Sequence, residues 1–242
     1  MKVIALNSSP HREKGGTGRI LGPFLDGVKQ AGADVDLLCL HGLDIRPCLG
    51  CLDCWVKTPG RCIQDDDMAG ILSRMAESDV MVLATPLYVD GMNAAMKGLL
   101  DRSIPLLQPW FVLADSHCRH DRVERFKAGK VALVSVCGFT ELDNFDPLVT
   151  HAGAVSRNMR REFAGALLRP YADSLPELAE AGVHVEDIYA AAREAGEELV
   201  RDGTMRPETF ARVSRELVTR DQYIKAVNVH FRQAIRRSQR TA

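Results

Sequence analysis

Short apolar runs alternate with amphipathic stretches along the first two thirds of the chain. The apolar runs are too short for helices and lack a polar face, which is typical of parallel strands that are covered on both sides. The intervening stretches repeat their apolar positions every three or four residues and predict helices. Strands that alternate with helices predict a doubly wound α/β sandwich with right-handed crossovers. We expect five strands, at residues 3–6, 34–40, 80–84, 131–136 and 163–168.

Individual residues predict where two of the helices begin and whether they are straight; these helices span residues 17–28 and 68–75. Thr17 stands where a capping side chain would begin the first of them. Pro23 lies inside the same helix, and because it lacks a backbone donor we expect a kink or a later start. The acidic triplet at 65–67 precedes the second helix and is better explained by helix capping than by a divalent metal ion.

One segment, between the third predicted helix and the fourth predicted strand, is not needed for a minimal five-stranded sandwich. Residues 105–129 form a connection that is too long to be structureless, so we expect it to have a function of its own. Within it, residues 115–121 contain two histidines and a cysteine. No fourth ligand stands at a suitable spacing, so we expect a mobile loop near a bound ligand or at a subunit contact, and no metal site.

The chain after residue 186 shows helical periodicity without a further strand. Thr219 and Gln222 match a capping box. The basic helix that follows carries an apolar stripe at Ile224, Val227, Phe231 and Ala234. We therefore predict two parts: residues 1–185 form the sandwich, and residues 186–242 form a helical extension that packs on it or on a partner subunit.

Composition and charge exclude several kinds of partner. The chain has 31 basic and 32 acidic residues and a net charge of −1, so no overall positive field favours nucleic acid or an anionic membrane. No stretch approaches the roughly 20 apolar residues of a spanning helix, and residues 1–10 do not resemble a secretory leader. Seven cysteines are an odd number, in a chain long enough to fold without disulfides. We therefore expect a cytoplasmic protein with reduced thiols.

Four of the seven cysteines stand in one loop, residues 46–64, with the spacing C-x2-C-x2-C-x7-C: Cys48, Cys51, Cys54 and Cys62. Gaps of two residues allow successive sulfur atoms to face one centre, either a cubane iron–sulfur cluster or tetrahedral zinc. Structural zinc sites more often pair two C-x2-C knuckles across a longer stretch, so consecutive short gaps favour the cluster. Zinc and a site of free thiols are the alternatives.

Three loops follow predicted strands and therefore meet at the carboxyl edge of the sheet, where ligands bind in this architecture. Residues 7–17 are rich in hydroxyls and glycines and lead into a helix, which favours a phosphate monoester over a dinucleotide or a triphosphate. Tyr88, in the loop 85–92, is suited to stack on a planar ring, and Gly138 lets the backbone approach the same ligand. The alternatives are a loop that only caps a helix and an aromatic side chain that only covers the sheet.

The motifs SSPHREKGGT, PCLGCLDC and ATPLYVDGM, together with Cys62, resemble those of the iron–sulfur flavoproteins. These proteins belong to the wider NADPH-dependent FMN reductase group of the flavodoxin-like fold. The resemblance covers residues 1–104 and 130–141. It implies a flavodoxin-like, doubly wound five-stranded parallel sheet in the order 2-1-3-4-5, followed here by the C-terminal helical extension.

The resemblance also implies roles for the residues of each motif. The first motif implies an FMN phosphate site made by Ser8, Ser9, His11, Arg12, Gly16 and Thr17. Arg12 is included because the family usually has arginine where this chain has His11. The ATPLYVDGM motif implies contacts to the isoalloxazine ring of FMN at Pro86, Leu87, Tyr88 and Gly91. Cys137 and Gly138, in the loop after the fourth predicted strand, are further candidate contacts to the same ligand. The four loop cysteines would ligate a 4Fe–4S cluster.

The implied activity is that of an FMN-dependent redox flavoprotein, which passes electrons from a reduced donor, NAD(P)H among the candidates, to a small molecule or a redox protein. A hydride delivers two electrons and a cluster accepts one at a time, and flavin mediates between them. No side-chain acid, base or nucleophile is needed, so we assign no catalytic residue. The family implies a homodimer or a homotetramer. A cluster-free NAD(P)H:FMN or quinone oxidoreductase is the main alternative, and a non-enzymatic zinc-binding module is the second.

Overall fold

A parallel sheet forms the centre of the molecule, and the computed structural model describes residues 1–114 and 116–241 around it. The strands are, in chain order, β1 (Lys2–Asn7), β2 (Asp34–Cys39), β3 (Val80–Tyr88), β4 (Gly91–Met92), β5 (Leu107–Ala114), β6 (His117–Arg122), β7 (Lys130–Val136) and β8 (Glu162–Arg169). Five of them lie in the order β2-β1-β3-β7-β8, and every neighbouring pair is parallel. This is the order 2-1-3-4-5 for the five predicted strands, so the flavodoxin-like fold class is confirmed.

Helices cover both faces of this sheet. They are α1 (Gly16–Gln30), α2 (Asp53–Val56), α3 (Met68–Glu77), α4 (Ala94–Asp101), α5 (Asp146–Asn158), α6 (Leu175–Glu180), α7 (Glu186–Arg201), α8 (Pro207–Ser214) and α9 (Arg220–Thr241). Val3 and Ala5 of β1 pack with α1 and α7, whereas Ile4 and Leu6 pack with α3, α4 and α5. Because alternate side chains point to opposite faces, a strand between two helical layers is apolar throughout.

The starts of α1 and α3 differ from the predicted ones in detail. Helix α1 begins at Gly16 and runs without interruption through Pro23, so the helix does not start late. Gly15 is the N-cap, which makes the prediction that Thr17 caps this helix wrong: Thr17 lies buried inside the first turn. The acidic triplet contacts the start of α3 in a different way from the one predicted: the N-cap Asp67 makes no side-chain capping bond, and Asp66 Oδ1, one residue earlier, accepts from Met68 N at 3.2 Å.

The connection after α4 forms a small sheet of its own. Strands β5 and β6 pair as an antiparallel ribbon, with a register shift between Leu107 and Phe111. Pro109, which cannot donate to a ladder, lies within that irregular stretch. Residues 117–121, expected in a loop, lie in β6, and Asp115 lies outside the described residues.

A buried arginine at the end of β8 ties the last part of the chain to the sheet. Arg169 Nη1 donates to the carbonyls of Val213 and Arg215, at 2.9 and 2.7 Å. Its guanidinium carbon lies 4.6 Å from the ring centroid of Tyr171, whose hydroxyl accepts from Leu217 N at 2.7 Å. The segment after α8 is therefore fixed at the carboxyl edge of the sheet, where α9 begins.

Helix α9 starts with the predicted capping box and then leaves the rest of the molecule. Gln222 N donates to Thr219 Oγ1 at 3.3 Å and Thr219 N donates to Gln222 Oε1 at 3.0 Å, which confirms that prediction. Phe231 and Ile235 are 59% and 56% exposed. Across the part of the chain that the structure describes, we find no helix with the length and apolar character needed to cross a membrane.

Two glycines allow α1 and α7 to approach each other closely. A Cβ at Gly196 of α7 would collide with the carbonyl of Phe24, and one at Gly27 of α1 would collide with the carbonyl of Arg193. Backbone cannot move aside as a flexible side chain can. Helix α7 is thereby packed into the same core as α1, through Ile188, Ala191, Ala192, Ala195 and Leu199.

We therefore expect Gly196→Ala to lower the free energy of unfolding by about 1–3 kcal/mol in urea denaturation, because the added methyl group forces the two helices apart. Gly70→Ala is the matched control. Gly70 lies in α3 with open space around its missing Cβ, so alanine there should raise stability by up to ~1 kcal/mol. Equal effects of the two substitutions would contradict this description of the helix contact.

Candidate functional site

The three loops predicted to share a ligand meet at the carboxyl edge of the sheet, because β1, β3 and β7 are neighbours. Ser8 links the loop after β1 to strand β3: its backbone N and its Oγ donate to the carbonyl of Ala84, at 2.9 and 3.2 Å. Ser135 Oγ links β7 to β3 by donating to the carbonyl of Thr85 at 2.8 Å. The loops are thus held in fixed positions relative to one another.

The loop between β1 and α1 has the features of an anion site. Thr17 is fully buried in the first helical turn, and its hydroxyl has no hydrogen-bond partner in the structure. Gly15 is extended and contributes no side-chain cap, so no N-cap side chain satisfies the backbone donors of the first turn. A buried hydroxyl without a partner costs free energy unless a ligand satisfies it. The Thr17 hydroxyl and the helix N-terminus together fit a phosphate group.

The basic residues of this loop are placed differently from its hydroxyls. His11 and Arg12 are exposed, whereas Ser8 and Ser9 are buried. Arg12 adopts a left-handed backbone conformation, with φ of 52°, and its Nη2 donates to the carbonyl of His41 at 3.1 Å. Its side chain therefore reaches across to the segment that follows β2.

The sequence analysis missed Asp173, which contacts the start of α1. Its Oδ1 accepts from Gly16 N at 2.7 Å and lies 3.7 Å from Arg19 Nη1. Asp173 follows β8, 157 residues away along the chain, and nothing in the local pattern points to this contact. One backbone donor of the first turn of α1 is thus already satisfied by the protein.

The second loop is shorter than predicted because β3 continues through Tyr88. The chain then turns at Val89 and Asp90, both with positive φ, and returns as β4 with Leu87 opposite Met92. Two consecutive residues with positive φ are typical of a tight two-residue hairpin. The hairpin leaves Tyr88 half exposed at the sheet edge, beside buried Pro86.

Asn93 is a second residue that the sequence analysis missed. Its Oδ1 caps α4 by accepting from Met96 N at 3.2 Å, and its Nδ2 donates to the carbonyl of Ser8 at 2.7 Å. An asparagine directly before an apolar helical repeat is a recognisable N-cap, so the first contact was open to prediction. The second contact spans 85 residues and was not.

The third loop is covered by the start of α9. Cys137 is buried, and burial raises the pKa of its thiol. The carbonyl of Gly138 accepts from the hydroxyl of Tyr223 at 2.9 Å, and Arg220 pairs with Glu141 at 2.7 Å. Helix α9 is therefore anchored at the same edge of the sheet as the three loops.

The four loop cysteines follow β2, the strand next to β1, and line one small cavity with Leu49, Ile63 and Ile104. The pKa of Cys54 is raised by burial and then by the proximity of the other three sulfur atoms. Within residues 1–114 and 116–241, no three histidine, cysteine or acidic side chains are gathered closely enough to hold a metal ion as they stand. The donor set and the common cavity nevertheless fit a thiolate-bound centre.

A buried ion pair lies beside this cavity. Arg102, directly after α4, donates from Nη1 and Nη2 to the two carboxylate oxygens of Asp66, at 2.6 and 2.9 Å. Burial alone would raise the pKa of Asp66, but the hydrogen bonds from Arg102, Arg46 and Met68 outweigh it and hold the pKa below its usual range. Asp66 follows the last cysteine by four residues, so the pair fixes that end of the loop.

The β5–β6 ribbon rests on the same loop. Trp55 Nε1 donates to the carbonyl of Leu107 at 2.8 Å. The His120 ring lies between the rings of Trp55 and Phe111, with centroids 4.6 and 5.0 Å away. Trp110 and Leu113 on the ribbon are mostly exposed. The ribbon thus presents an apolar surface next to Cys54.

Comparison with known families assigns the chain to one of them. The family model described as NADPH-dependent FMN reductase matches residues 1–139, more than half of the chain. The chain therefore belongs to the NADPH-dependent FMN reductase family. This region contains the loops after β1 and β3, the four cysteines and the start of the loop after β7, so the family resemblance found in the sequence is confirmed.

Curated relatives and solved structures agree with this assignment. An iron-sulfur flavoprotein of Methanocaldococcus jannaschii is 37% identical over 106 residues, which are 44% of this chain and 53% of the relative. One of Archaeoglobus fulgidus is 35% identical over 103 residues, 43% of this chain and 49% of the relative. The chain thus spans about half the length of these relatives. An FMN-dependent NADH-azoreductase of Bacillus anthracis, solved with FMN, shares the fold with a TM-score of 0.59 at 12% identity, over 83% of this chain and 99% of the other.

Proposed function

We propose that this protein is an FMN-dependent oxidoreductase that also carries a 4Fe–4S cluster and passes electrons from a reduced donor to an acceptor. One observation carries the proposal: the loop fit for phosphate and the four-cysteine loop follow neighbouring strands, β1 and β2, at one edge of the sheet. Membership of the FMN reductase family and the iron-sulfur flavoproteins among the relatives support it. The donor we propose is NAD(P)H, as in the family description.

In this proposal the three loops bind FMN. The first turn of α1 and the hydroxyls of Ser9 and Thr17 hold the phosphate, with Ser8, His11, Arg12 and Gly16 around them. The isoalloxazine ring would be held by Pro86, Leu87, Tyr88 and Gly91 together with the Cys137–Gly138 backbone. When bound, FMN accepts a hydride and releases electrons singly, so the protein's part is to orient the ring and to exclude water from it.

The four cysteines hold the cluster in this proposal, with Cys48 and Cys51 at the exposed side of the cavity and Cys54 and Cys62 partly buried. A cluster bound there would supply one-electron transfer to a redox protein or a small molecule. A cluster-free NAD(P)H:FMN or quinone oxidoreductase is the second candidate. The exposure of Cys48 and Cys51, and the open arrangement of the sulfur atoms, favour it.

Replacing Thr17 by valine tests the phosphate site. The change removes a hydroxyl that has no protein partner, so stability should hardly change. Loss of a hydrogen bond to a charged phosphate should weaken FMN binding roughly ten- to a hundredfold in a fluorescence titration. Riboflavin, which has no phosphate, should bind equally to both proteins, and Thr150→Val in α5 is the control for the substitution itself. Equal weakening of FMN and riboflavin would contradict the phosphate site.

Replacing Cys51 by alanine tests the cluster. The variant purified without oxygen should lose its iron and acid-labile sulfide while FMN stays bound, because three thiolates do not complete the ligand set of the cluster. Cys118→Ala, which removes an exposed cysteine outside the loop, should keep both. A Cys51→Ala protein with the iron and sulfide content of the wild type would show that the ligand assignment is wrong.

We further propose that a second copy of the chain covers α9 in a homo-oligomer. Most helical stability in proteins comes from packing of an apolar face, yet α9 has 22 residues and leaves an apolar stripe at Ile224, Phe231 and Ile235 exposed. Residues 220–242 contain six arginine or lysine residues and one aspartate, which leaves a net charge of −6 on residues 1–219. A basic helix and an acidic body are complementary between two copies.

A charge introduced into the apolar stripe of α9 tests this arrangement. Phe231→Glu places a carboxylate in the stripe and should shift the protein towards monomer in sedimentation velocity experiments. Gln233→Glu makes the same change of charge on the opposite side of α9 and should leave the assembly largely intact. A wild-type protein that is monomeric at all concentrations, or equal effects of both variants, would contradict the proposal.

A further inference from the structure

Arg102 connects both ends of the cysteine loop to one helix. Besides the two bonds to Asp66, Arg102 Nη1 donates to the carbonyl of Arg46 at 2.6 Å. Residues 46 and 66 stand on either side of the four cysteines. One guanidinium at the end of α4 therefore closes a segment of the chain that has almost no regular structure of its own, since α2 spans only Asp53–Val56.

Other contacts across the base of this loop are exposed, so water competes with them. Arg46 N donates to Asp66 Oδ2 at 3.1 Å, Gln64 Nε2 donates to the carbonyl of Pro47 at 3.0 Å, and Arg46 Nη2 donates to the carbonyl of Asp65. Asp44 N donates to Asp67 Oδ2 at 2.7 Å, and Asp67 N donates to the carbonyl of Asp44 at 3.0 Å. The Arg102 and Asp66 side chains are by contrast only 1% and 0% exposed. Buried charged hydrogen bonds with two-point geometry are strong and directional, whereas exposed ones compete with water.

The guanidinium keeps one donor without a partner. Arg102 Nε is buried and makes no hydrogen bond in the structure. The pKa of Arg102 is raised chiefly by its hydrogen bonds to Asp66. Ile104, two residues after Arg102, lines the same cavity as the four cysteines.

We propose that Arg102 is a positioning residue of the cysteine centre: it clamps residues 46 and 66 together at the base of the loop. The inference rests on the proposed function, because it takes the four cysteines as the ligands of a cluster. Two effects follow. The clamp keeps the loop closed even without metal, and the guanidinium charge, two residues before Ile104 in the cavity wall, favours the reduced, more negative cluster.

Variants at position 102 separate the two effects. Arg102→Gln removes both the clamp and the charge, whereas Arg102→Lys keeps a charge but loses the two-point geometry. Arg125→Gln is the matched control, because Arg125 contacts the same loop from its exposed side by donating to the carbonyl of Gly60. Circular dichroism of each full-length variant reports whether it is folded. If Arg102→Gln does not fold, Arg102→Lys carries the test.

The first measurement is trypsin cleavage after Lys57 or Arg61 in the full-length protein freed of metal. We expect cleavage at least about tenfold faster than in the wild type for Arg102→Gln, a smaller increase for Arg102→Lys, and none for Arg125→Gln, because cleavage follows opening of the loop. Cleavage of both Arg102 variants within about twofold of the wild type would overturn the clamp.

The second measurement is a redox titration of the cluster in the reconstituted proteins. We expect a lower midpoint potential for Arg102→Gln and a potential closer to the wild type for Arg102→Lys. A loaded Arg102→Gln with the wild-type potential would overturn the effect of the Arg102 charge on the cluster. If the wild type itself binds no iron, the cluster part of the proposed function fails, and the cleavage experiment on metal-free protein still decides whether the clamp exists.

Discussion

Helix α4 is held at both ends by buried polar contacts, and the relative position of the two proposed sites depends on it. At its start Asn93 donates to the carbonyl of Ser8 in the proposed phosphate loop. At its end Arg102 binds Asp66 beside the cysteine loop. Nine residue steps separate these two anchors, which is about 14 Å along a helix. A short rigid helix therefore fixes the separation between a flavin and a cluster better than two flexible loops could.

The cost of this arrangement is a set of polar groups buried where water cannot reach them. The hydroxyl of Thr17 and Nε of Arg102 have no hydrogen-bond partner in the structure, and Nε of Arg161 and of Arg169 are in the same position elsewhere in the fold. Such groups destabilise a fold unless something pairs with them. Thr17 differs from the arginines because its hydroxyl is its one polar side-chain group and lies in the first turn of a helix, where an anion can pair with it.

The five strands and their order were predictable because each strand is a local apolar run and the known motifs lie at strand ends. The extent of β3 was not, since Pro86 reads as the start of a loop and only pairing with β7 and β4 extends the strand to Tyr88. The β5–β6 ribbon escaped prediction because its apolar residues are exposed and follow no helical or strand period cleanly. Within the candidate site, the cysteine spacing was visible, but Arg102 reads as an ordinary surface residue at a helix end until its partner Asp66 is brought to it by folding.

The most direct test of the account is to measure flavin, iron and acid-labile sulfide in wild-type protein purified without oxygen. The account predicts bound FMN together with about four irons and four sulfides per chain, as four thiolate ligands in one cavity require. FMN without iron would indicate a cluster-free oxidoreductase of the same family. Protein that binds neither FMN nor iron after reconstitution would contradict the central claim that one edge of this sheet holds both redox centres.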